Sequence, residues 1–128
     1  MSEKMTLKDL RYKAFSCAKK QGFHDQPANF AEQLMLIVSE LSEALEADRD
    51  GRWAKFSWIL DIETTDFSDS GIRDSYEKKY KGTVEEEIAD AVIRLFDLAG
   101  LYHIDLDWHV RAKMAYNETR PYLHGKKY

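Results

Sequence analysis

Two pairs of carboxylates are the residues of this sequence whose types and spacing best suit chemistry. Glu40 and Glu43 lie within the apolar run LMLIVSELSEALEADRD, and Glu87 and Asp90 lie within VEEEIADAVIRLF. A helix turns by about 100° per residue, so the members of each pair lie about 60° apart on one helix face. Two such helices side by side would bring four carboxylates together, and such a group needs a cation to offset its charge.

The ligand chemistry narrows the choice of cation. An all-oxygen set suits Mg²⁺, Mn²⁺ or Ca²⁺, whereas carboxylate-bridged di-iron bundles use Glu-x-x-His motifs. No glutamate here is followed three residues later by a histidine, so Mg²⁺ is the leading candidate and Mn²⁺ the alternative. Either acidic pair alone is more often a solvated helix face. Between Phe30 and Asp48, however, no lysine or arginine is available to pair with the acids.

A basic row near the end of the chain complements the acids. Lys113, Asn117 and Arg120 are spaced i, i+4 and i+7, which places them on one face of a helix. Carboxylates for a metal and cations for the remaining phosphate oxygens together suit a Mg²⁺–polyphosphate ligand. Taken alone, a basic last helix is more often a solvated face.

Four predicted helices would position these residues, and each has start or stop signals. The third has the clearest start, a capping box with Thr83 as N-cap and Glu86 at the third helical position. The helices are predicted from Thr6 to near Gly22, from around Pro27 to about Asp48, from Thr83 to Tyr102, and from Asp105 or Asp107 to Pro121.

Both acid-bearing helices also carry an apolar stripe with amphipathic spacing, on a side away from the acids. We expect these stripes to build the core of the protein. They comprise Phe30, Leu34, Ile37, Val38, Leu41 and Leu45 on the second helix, and Ile88, Val92, Leu95 and Ala99 on the third.

The segment 51–82 differs from the rest of the chain. It opens with an aromatic-rich stretch that includes Trp53, Phe56 and Trp58, and it continues with the polar run ETTDFSDSGIRDS. The sequence predicts a short helix, a loop and a second short helix through Tyr76 to Tyr80. Such a segment suits a substrate lid, an oligomer contact, or both.

Length and composition indicate an ordinary globular protein and exclude several classes. The 128 residues predict a single domain over 1–128, and the net charge of −4 gives no basic field for nucleic acid. The longest apolar run, residues 34–38, is too short to span a membrane. One cysteine, Cys17, allows no internal disulfide. Because the N-terminus is charged rather than apolar, we expect a cytoplasmic protein.

The ordered motifs resemble those of a known superfamily. Glu40-x-x-Glu43, then Glu87-x-x-Asp90, then Lys113-x-x-x-Asn117-x-x-Arg120, resemble the MazG-like all-α nucleoside triphosphate pyrophosphohydrolases. This superfamily includes dimeric dUTPases, dCTP pyrophosphatases and phosphoribosyl-ATP pyrophosphohydrolase. The stretch GFHDQPANF is similar to their opening, and the resemblance covers residues 22–121.

The resemblance implies a fold, a reaction and an assembly. The fold would be all-α and four-helix-bundle-like, with an aromatic-rich segment inserted between the second and third helices. The reaction would be Mg²⁺-dependent hydrolysis between the α- and β-phosphates of a nucleoside triphosphate, releasing a monophosphate and pyrophosphate. The protein would be a homodimer or homotetramer. Residues 44–86 form a longer connection than in compact family members, which leaves the preferred base open.

The resemblance also implies roles for individual residues. Glu40, Glu43, Glu87 and Asp90 would hold Mg²⁺, and Glu40 or Glu43 would accept the proton of the attacking water. The candidates for binding the substrate are Lys113, Asn117 and Arg120 for the phosphates, His24 for the base or sugar, and Trp53 or Trp58 for stacking on the base.

The sequence leaves alternatives open for two residues near the acids, for His24 and for the overall function. Asp97 would assist a second metal or pair with Arg94, and Arg94 itself would alter the pocket. For His24, a surface role beside a helix is equally compatible with the sequence. The alternative function is a non-catalytic helical-bundle interaction protein or a divalent-metal-binding protein.

Overall fold

The structure, a computed structural model, describes residues 4–55 and 68–127, and these residues form helices and no strand. The prediction of an all-α protein is therefore confirmed, whereas the four-helix-bundle-like MazG fold stays a prediction. None of the helices described is both long and apolar enough to cross a bilayer. The helices are α1 (Leu7–Lys20), α2 (Phe30–Arg49), α3 (Asp69–Lys79), α4 (Val84–Leu101) and α5 (Leu106–Glu118), followed by a 3₁₀ turn (Tyr122–Gly125).

Side chains cap the starts of α1 and α4. At α1 the Thr6 hydroxyl accepts a hydrogen bond from the Asp9 N–H, and the Asp9 carboxylate accepts one from the Thr6 N–H. At α4 the Thr83 hydroxyl accepts from the Glu86 N–H as predicted. The Glu86 carboxylate, however, accepts from the Gly82 N–H, because the Thr83 N–H already donates to the Tyr80 carbonyl.

The start of α2 was predicted too early. The helix begins at Phe30 with Asn29 as its N-cap, so Pro27 precedes the helix instead of forming its first turn. The physical reason is the Asn29 side chain, whose oxygen accepts a hydrogen bond of 2.8 Å from the Glu32 N–H.

Helix α4 is the centre of the fold, because both α1 and α2 pack on it, while α5 packs mainly on α1. Small residues mark the close approaches between helices. A Cβ added at Gly100 of α4 would lie 2.7 Å from the Phe15 Cβ of α1, closer than two carbon atoms can approach. Four alanines share the interior with larger side chains: Ala44 and Ala47 on α2, and Ala91 and Ala99 on α4.

Helices α2 and α4 run antiparallel. Glu43 is a neighbour of Glu87, whereas Glu40, one turn earlier on α2, pairs with Arg94, two turns later on α4. When either helix is viewed from its N-terminus, the stripe of large apolar residues lies in the same direction of rotation from the buried residues. In an antiparallel pair, both stripes therefore face one side and the carboxylates face the other.

The prediction that the large apolar stripes build the core is wrong for this chain. Of the predicted positions, Ile37 and Ala99 are buried and the others are exposed. The helices instead pack through the neighbouring face, where alanines permit close contact. We call the exposed residues the apolar face: Leu34, Val38, Leu41 and Leu45 of α2, and Ile88, Val92 and Leu95 of α4.

The second short helix predicted for the segment 51–82 is present as α3, which contains Tyr76 and ends one residue before Tyr80. The first predicted short helix, with Phe56 and Trp58, lies outside the described residues. Residues 52–54 are held against the start of α4, since the Arg52 carbonyl accepts from the Val84 N–H and the Ala54 N–H donates to the Glu85 carboxylate.

Candidate metal centre

The structure brings together three of the four carboxylates that the sequence singled out. One carboxylate oxygen from each of Glu40, Glu87 and Asp90 lies within 4.8 Å of the others. Glu43 is their neighbour, because its carboxyl group acts on the pKa of Glu87. We call these four residues the carboxylate cluster.

The surroundings of Glu87 and Asp90 within the cluster raise the proton affinity of these two carboxylates. Partial burial, then the hydrogen bond and charge of Glu43, raise the pKa of Glu87 to about 7. Burial and the charge of Glu40 also raise the pKa of Asp90, against a lowering by Arg94. Like charges held this close disfavour full ionisation unless a cation joins them. An all-carboxylate donor set of this kind is chemically suited to a hard divalent cation.

Arg94 already interacts with the cluster. Its Nε donates to the Glu40 Oε1 at 2.7 Å, and Glu40 is only 8% exposed. The sequence marked Arg94 as a residue that would alter the pocket, and the structure shows its contact with Glu40. A buried carboxylate paired in this way has part of its charge offset without any metal.

Asp97 and His24 form a second pair, beyond Arg94 on the same side of α4. The His24 Nε2 lies 2.8 Å from the Asp97 Oδ1, and the His24 ring lies 5.4 Å from that of Phe15. The expected alternative in which Asp97 pairs with Arg94 is wrong, because His24 occupies Asp97 and Glu40 occupies Arg94. The predicted contact of His24 with a base or sugar stays a prediction.

Two cavities adjoin these pairs. The larger, of about 320 Å³, lies between α1 and α4 and reaches Glu40 and Asp90. The smaller, of about 100 Å³, includes Gln33, whose buried Oε1 has no hydrogen-bond partner among the described residues. Phe23, Arg94 and Asp97 line both cavities, so the two cavities are neighbours.

The two cationic side chains of the basic row contact a tyrosine of α5. Lys113 Nζ lies 4.7 Å and the Arg120 guanidinium 5.6 Å from the centre of the Tyr116 ring. Arg120 follows the end of α5, and the buried Asn117 Oδ1 is without a partner in the described structure. Helix α5 packs mainly on α1, and no recorded hydrogen bond or ion pair among the described residues joins these side chains to the cluster. The role of Lys113, Asn117 and Arg120 in binding phosphates stays a prediction.

Trp53 follows the end of α2 and is exposed, with its indole N–H donating to the Asp48 carboxylate at 3.0 Å. That bond holds the Trp53 ring at the C-terminal end of α2, whereas His24 precedes the N-terminal end of the helix. Stacking of Trp53 on a base stays a prediction, and Trp58 lies outside the described residues.

Tyr76 is a neighbour of the cluster that the sequence analysis missed. Burial, then the charge and hydrogen bonding of Glu86 and the charges of Asp90 and Glu87, raise the pKa of Tyr76 to about 12. The available signal was its place in a short helix just before α4, which indicated proximity to the acids but not the direction of the side chain.

The fold and the site define a class, an all-α protein in which three carboxylates from two antiparallel helices converge, with Glu43 as their neighbour. The chain matches no protein-family model, no curated protein and no solved structure. The likeness to the MazG-like superfamily therefore rests on the motifs and their spacing.

Proposed function

We propose that this protein is a Mg²⁺-dependent nucleoside triphosphate pyrophosphohydrolase, which cleaves between the α- and β-phosphates. The observation that carries the proposal is the convergence of Glu40, Glu87 and Asp90, whose carboxylate oxygens lie within 4.8 Å of one another. The raised pKa values of Glu87 and Asp90 support it, because a divalent cation would offset the repulsion that raises them. Mn²⁺ would fit the same donor set.

In this proposal Glu40, Glu87 and Asp90 hold the metal ion, and Glu43 stands at the edge of the group. When bound, Mg²⁺ supplies charge neutralisation of the phosphate chain and orients the anhydride for attack. The chain's own residues must then accept the proton that the attacking water loses.

The two candidates for this proton acceptor differ in their surroundings. Glu40 is buried, and its Oε1 already accepts a hydrogen bond from Arg94. Glu43 is exposed and interacts with Glu87. We therefore assign the role of general base to Glu43, which has access to water and is paired with no cation among the described residues.

The proposal includes a homodimer or homotetramer. Exposed side chains of the apolar face support this assembly, because monomeric proteins rarely leave large contiguous apolar surfaces in water. A symmetric contact would use the apolar face on both copies. Lys113, Asn117 and Arg120 stay the candidates for binding the phosphates.

One observation favours a second candidate, a non-catalytic helical-bundle protein. Arg94 offsets the charge of Glu40 without any metal, as it would in a purely structural ion pair. In that case the apolar face would serve for association alone.

The test is a panel of nucleoside triphosphates with Mg²⁺, assayed for pyrophosphate release. Glu43→Gln and Asp90→Asn should lower turnover by about 10²- to 10⁴-fold, because each removes a charge that the reaction needs. The control is Glu46→Gln, which changes an exposed glutamate on the same helix and should leave turnover unchanged.

Circular dichroism of each variant would verify that the helices remain. Near-normal turnover of either cluster variant would contradict the four-carboxylate site. If no triphosphate were hydrolysed and Mg²⁺ did not shift thermal unfolding, the non-catalytic candidate would replace the proposed function.

A further inference from the structure

Arg94 and a bound metal ion would both need the carboxylate of Glu40. Its Nε donates to Glu40 Oε1, yet Glu40 also contributes an oxygen to the group that includes Glu87 and Asp90. Among the described residues, Arg94 is the one basic side chain with an ion pair to the carboxylate cluster. Any cation held by the three carboxylates would therefore compete with Arg94 for Glu40.

The guanidinium group has both the freedom and the donors to change partner. The Arg94 side chain is 39% exposed, whereas that of Glu40 is 10% exposed, so Arg94 is the member of the pair that can move into solvent. The recorded contact uses its Nε, and the planar group carries four further N–H donors on its two terminal nitrogens. A divalent cation at Glu40 would repel the guanidinium and weaken the contact.

The larger cavity is the space in which the released guanidinium group would find a new partner. It adjoins Glu40 and Asp90, and Arg94 is the only basic residue among the described residues that line it. The nearby carboxylate of Asp97 is already engaged by His24 at 2.8 Å. A ligand that brings its own negative charge is therefore the better partner, and phosphate oxygens match the fork of an arginine.

We propose that Arg94 is an exchangeable cation of the site. It pairs with Glu40 while no metal ion is bound, and it binds the phosphate chain of the ligand once a divalent cation takes over Glu40. This inference rests on the proposed function and adds a phosphate-binding residue within the same chain. The class of ligand is a polyphosphate anion, whichever base it carries.

The inference predicts opposite effects of one substitution on two affinities. In Arg94→Met, Mn²⁺ alone should bind about tenfold more tightly, because its competitor for Glu40 is gone. Inorganic tripolyphosphate in saturating Mg²⁺ should bind about tenfold more weakly, because a charge-assisted contact is lost. Isothermal titration calorimetry of the full chain measures both without any turnover.

A matched control and a milder variant accompany this test. Arg111→Met removes an arginine whose ion pair with Asp107, at 2.8 Å, resembles that of Arg94 but lies on α5; both affinities should stay unchanged. Arg94→Lys keeps the positive charge beside Glu40, so it replaces the methionine variant in the test if that variant unfolds. It should bind Mn²⁺ within about twofold of the original protein and tripolyphosphate several-fold more weakly, since lysine lacks the planar fork.

The outcomes separate this inference from the proposed function. If both affinities fell together in Arg94→Met, or if only one of them changed in that variant, Arg94 would be a structural partner of Glu40 and the exchange would be refuted. If Arg94→Lys bound tripolyphosphate as tightly as the original protein, the phosphate contact of Arg94 would be refuted. If the unaltered protein bound neither Mn²⁺ nor Mg²⁺–tripolyphosphate, the proposed function would fail first and this inference with it.

Discussion

The contact between α2 and α4 and the exposed apolar face of this helix pair use side chains of different size. The contact between the helices uses small residues such as Ala44 and Ala91, and it holds the buried Glu40 beside them. The other side carries large aliphatic side chains, and Leu41 and Leu45 are each about half exposed. The residues with the most apolar area to bury are thus the ones that this chain leaves uncovered.

The difference shows what each side is suited to do. Alanines let two helix backbones approach closely, and this approach holds the carboxylates of α2 and α4 at metal-binding distances. Large aliphatic side chains instead favour a partner, since burying one contributes about 1.5–3 kcal/mol. We interpret the acidic side as the site and the apolar face as the surface where a second copy packs.

The largest expected effect comes from placing a charge on the apolar face. Leu45→Lys should dissociate the assembly, because a symmetric contact would bury two copies of the new ammonium group. Leu45 is 51% exposed in the chain, so the helices themselves should remain folded. Light scattering after gel filtration should then give the mass of one chain, 15.0 kDa.

The matched control for this change is Tyr12→Lys. Tyr12 is an exposed aromatic residue on α1, outside the apolar face. Dissociation by Tyr12→Lys but not by Leu45→Lys would reverse the assignment of the two surfaces. A mass of one chain for the unaltered protein would remove the assembly from the proposal.

A smaller effect separates the buried contact from the exposed stripe on a single helix. In the Leu45→Lys background, Ile37→Ala should lower the free energy of unfolding by about 2–5 kcal/mol, because Ile37 packs with Ala91 and Leu98. Leu34→Ala, one turn away, should cost less than half as much, since Leu34 keeps 40% of its surface in water. Urea unfolding followed by circular dichroism measures both, and equal costs would contradict the division between the faces.

The sequence predicted the helices well because their signals are local. Thr6 and Thr83 cap their helices through side-chain contacts three residues away, and such contacts depend on spacing alone. The spacing of Glu40 with Glu43, and of Glu87 with Asp90, likewise placed each pair on one face before the helices were packed. The convergence of the two pairs followed from the antiparallel contact of α2 and α4.

What the sequence failed to predict depends on which surfaces meet. The amphipathic stripe marked Leu34 and Leu41 as core, but periodicity identifies an apolar face without naming what covers it. The pairing of His24 with Asp97 joins residues far apart in sequence, and no local signal indicates it. The contacts of Lys113 and Arg120 with the Tyr116 ring likewise have no signal in the spacing of the basic row, whose place beside the acids stays a prediction.

The smallest expected effect distinguishes the two sides by their response to pH. Glu87 has a pKa of about 7 in the folded chain against an ordinary value of 4.5, so the folded state binds its proton more tightly than the unfolded state does. Its contribution to stability is therefore fully present below pH 4.5 and is lost as the pH rises through about 7. With a chelator present, the midpoint of thermal unfolding should fall over this range, by less than the two changes above because solvent screens a partly exposed group.

Glu87→Gln should flatten this pH dependence, because glutamine does not titrate. Leu34→Ala should lower the midpoint while keeping the original slope, since the apolar face carries no group that titrates between these pH values. Added Mg²⁺ should raise the midpoint more at the upper end of the range, where Glu87 is ionised and available as a ligand. If Glu87→Gln and the unaltered protein lost stability in parallel, the pH response would arise elsewhere in the molecule and the acidic side would not be the titrating one.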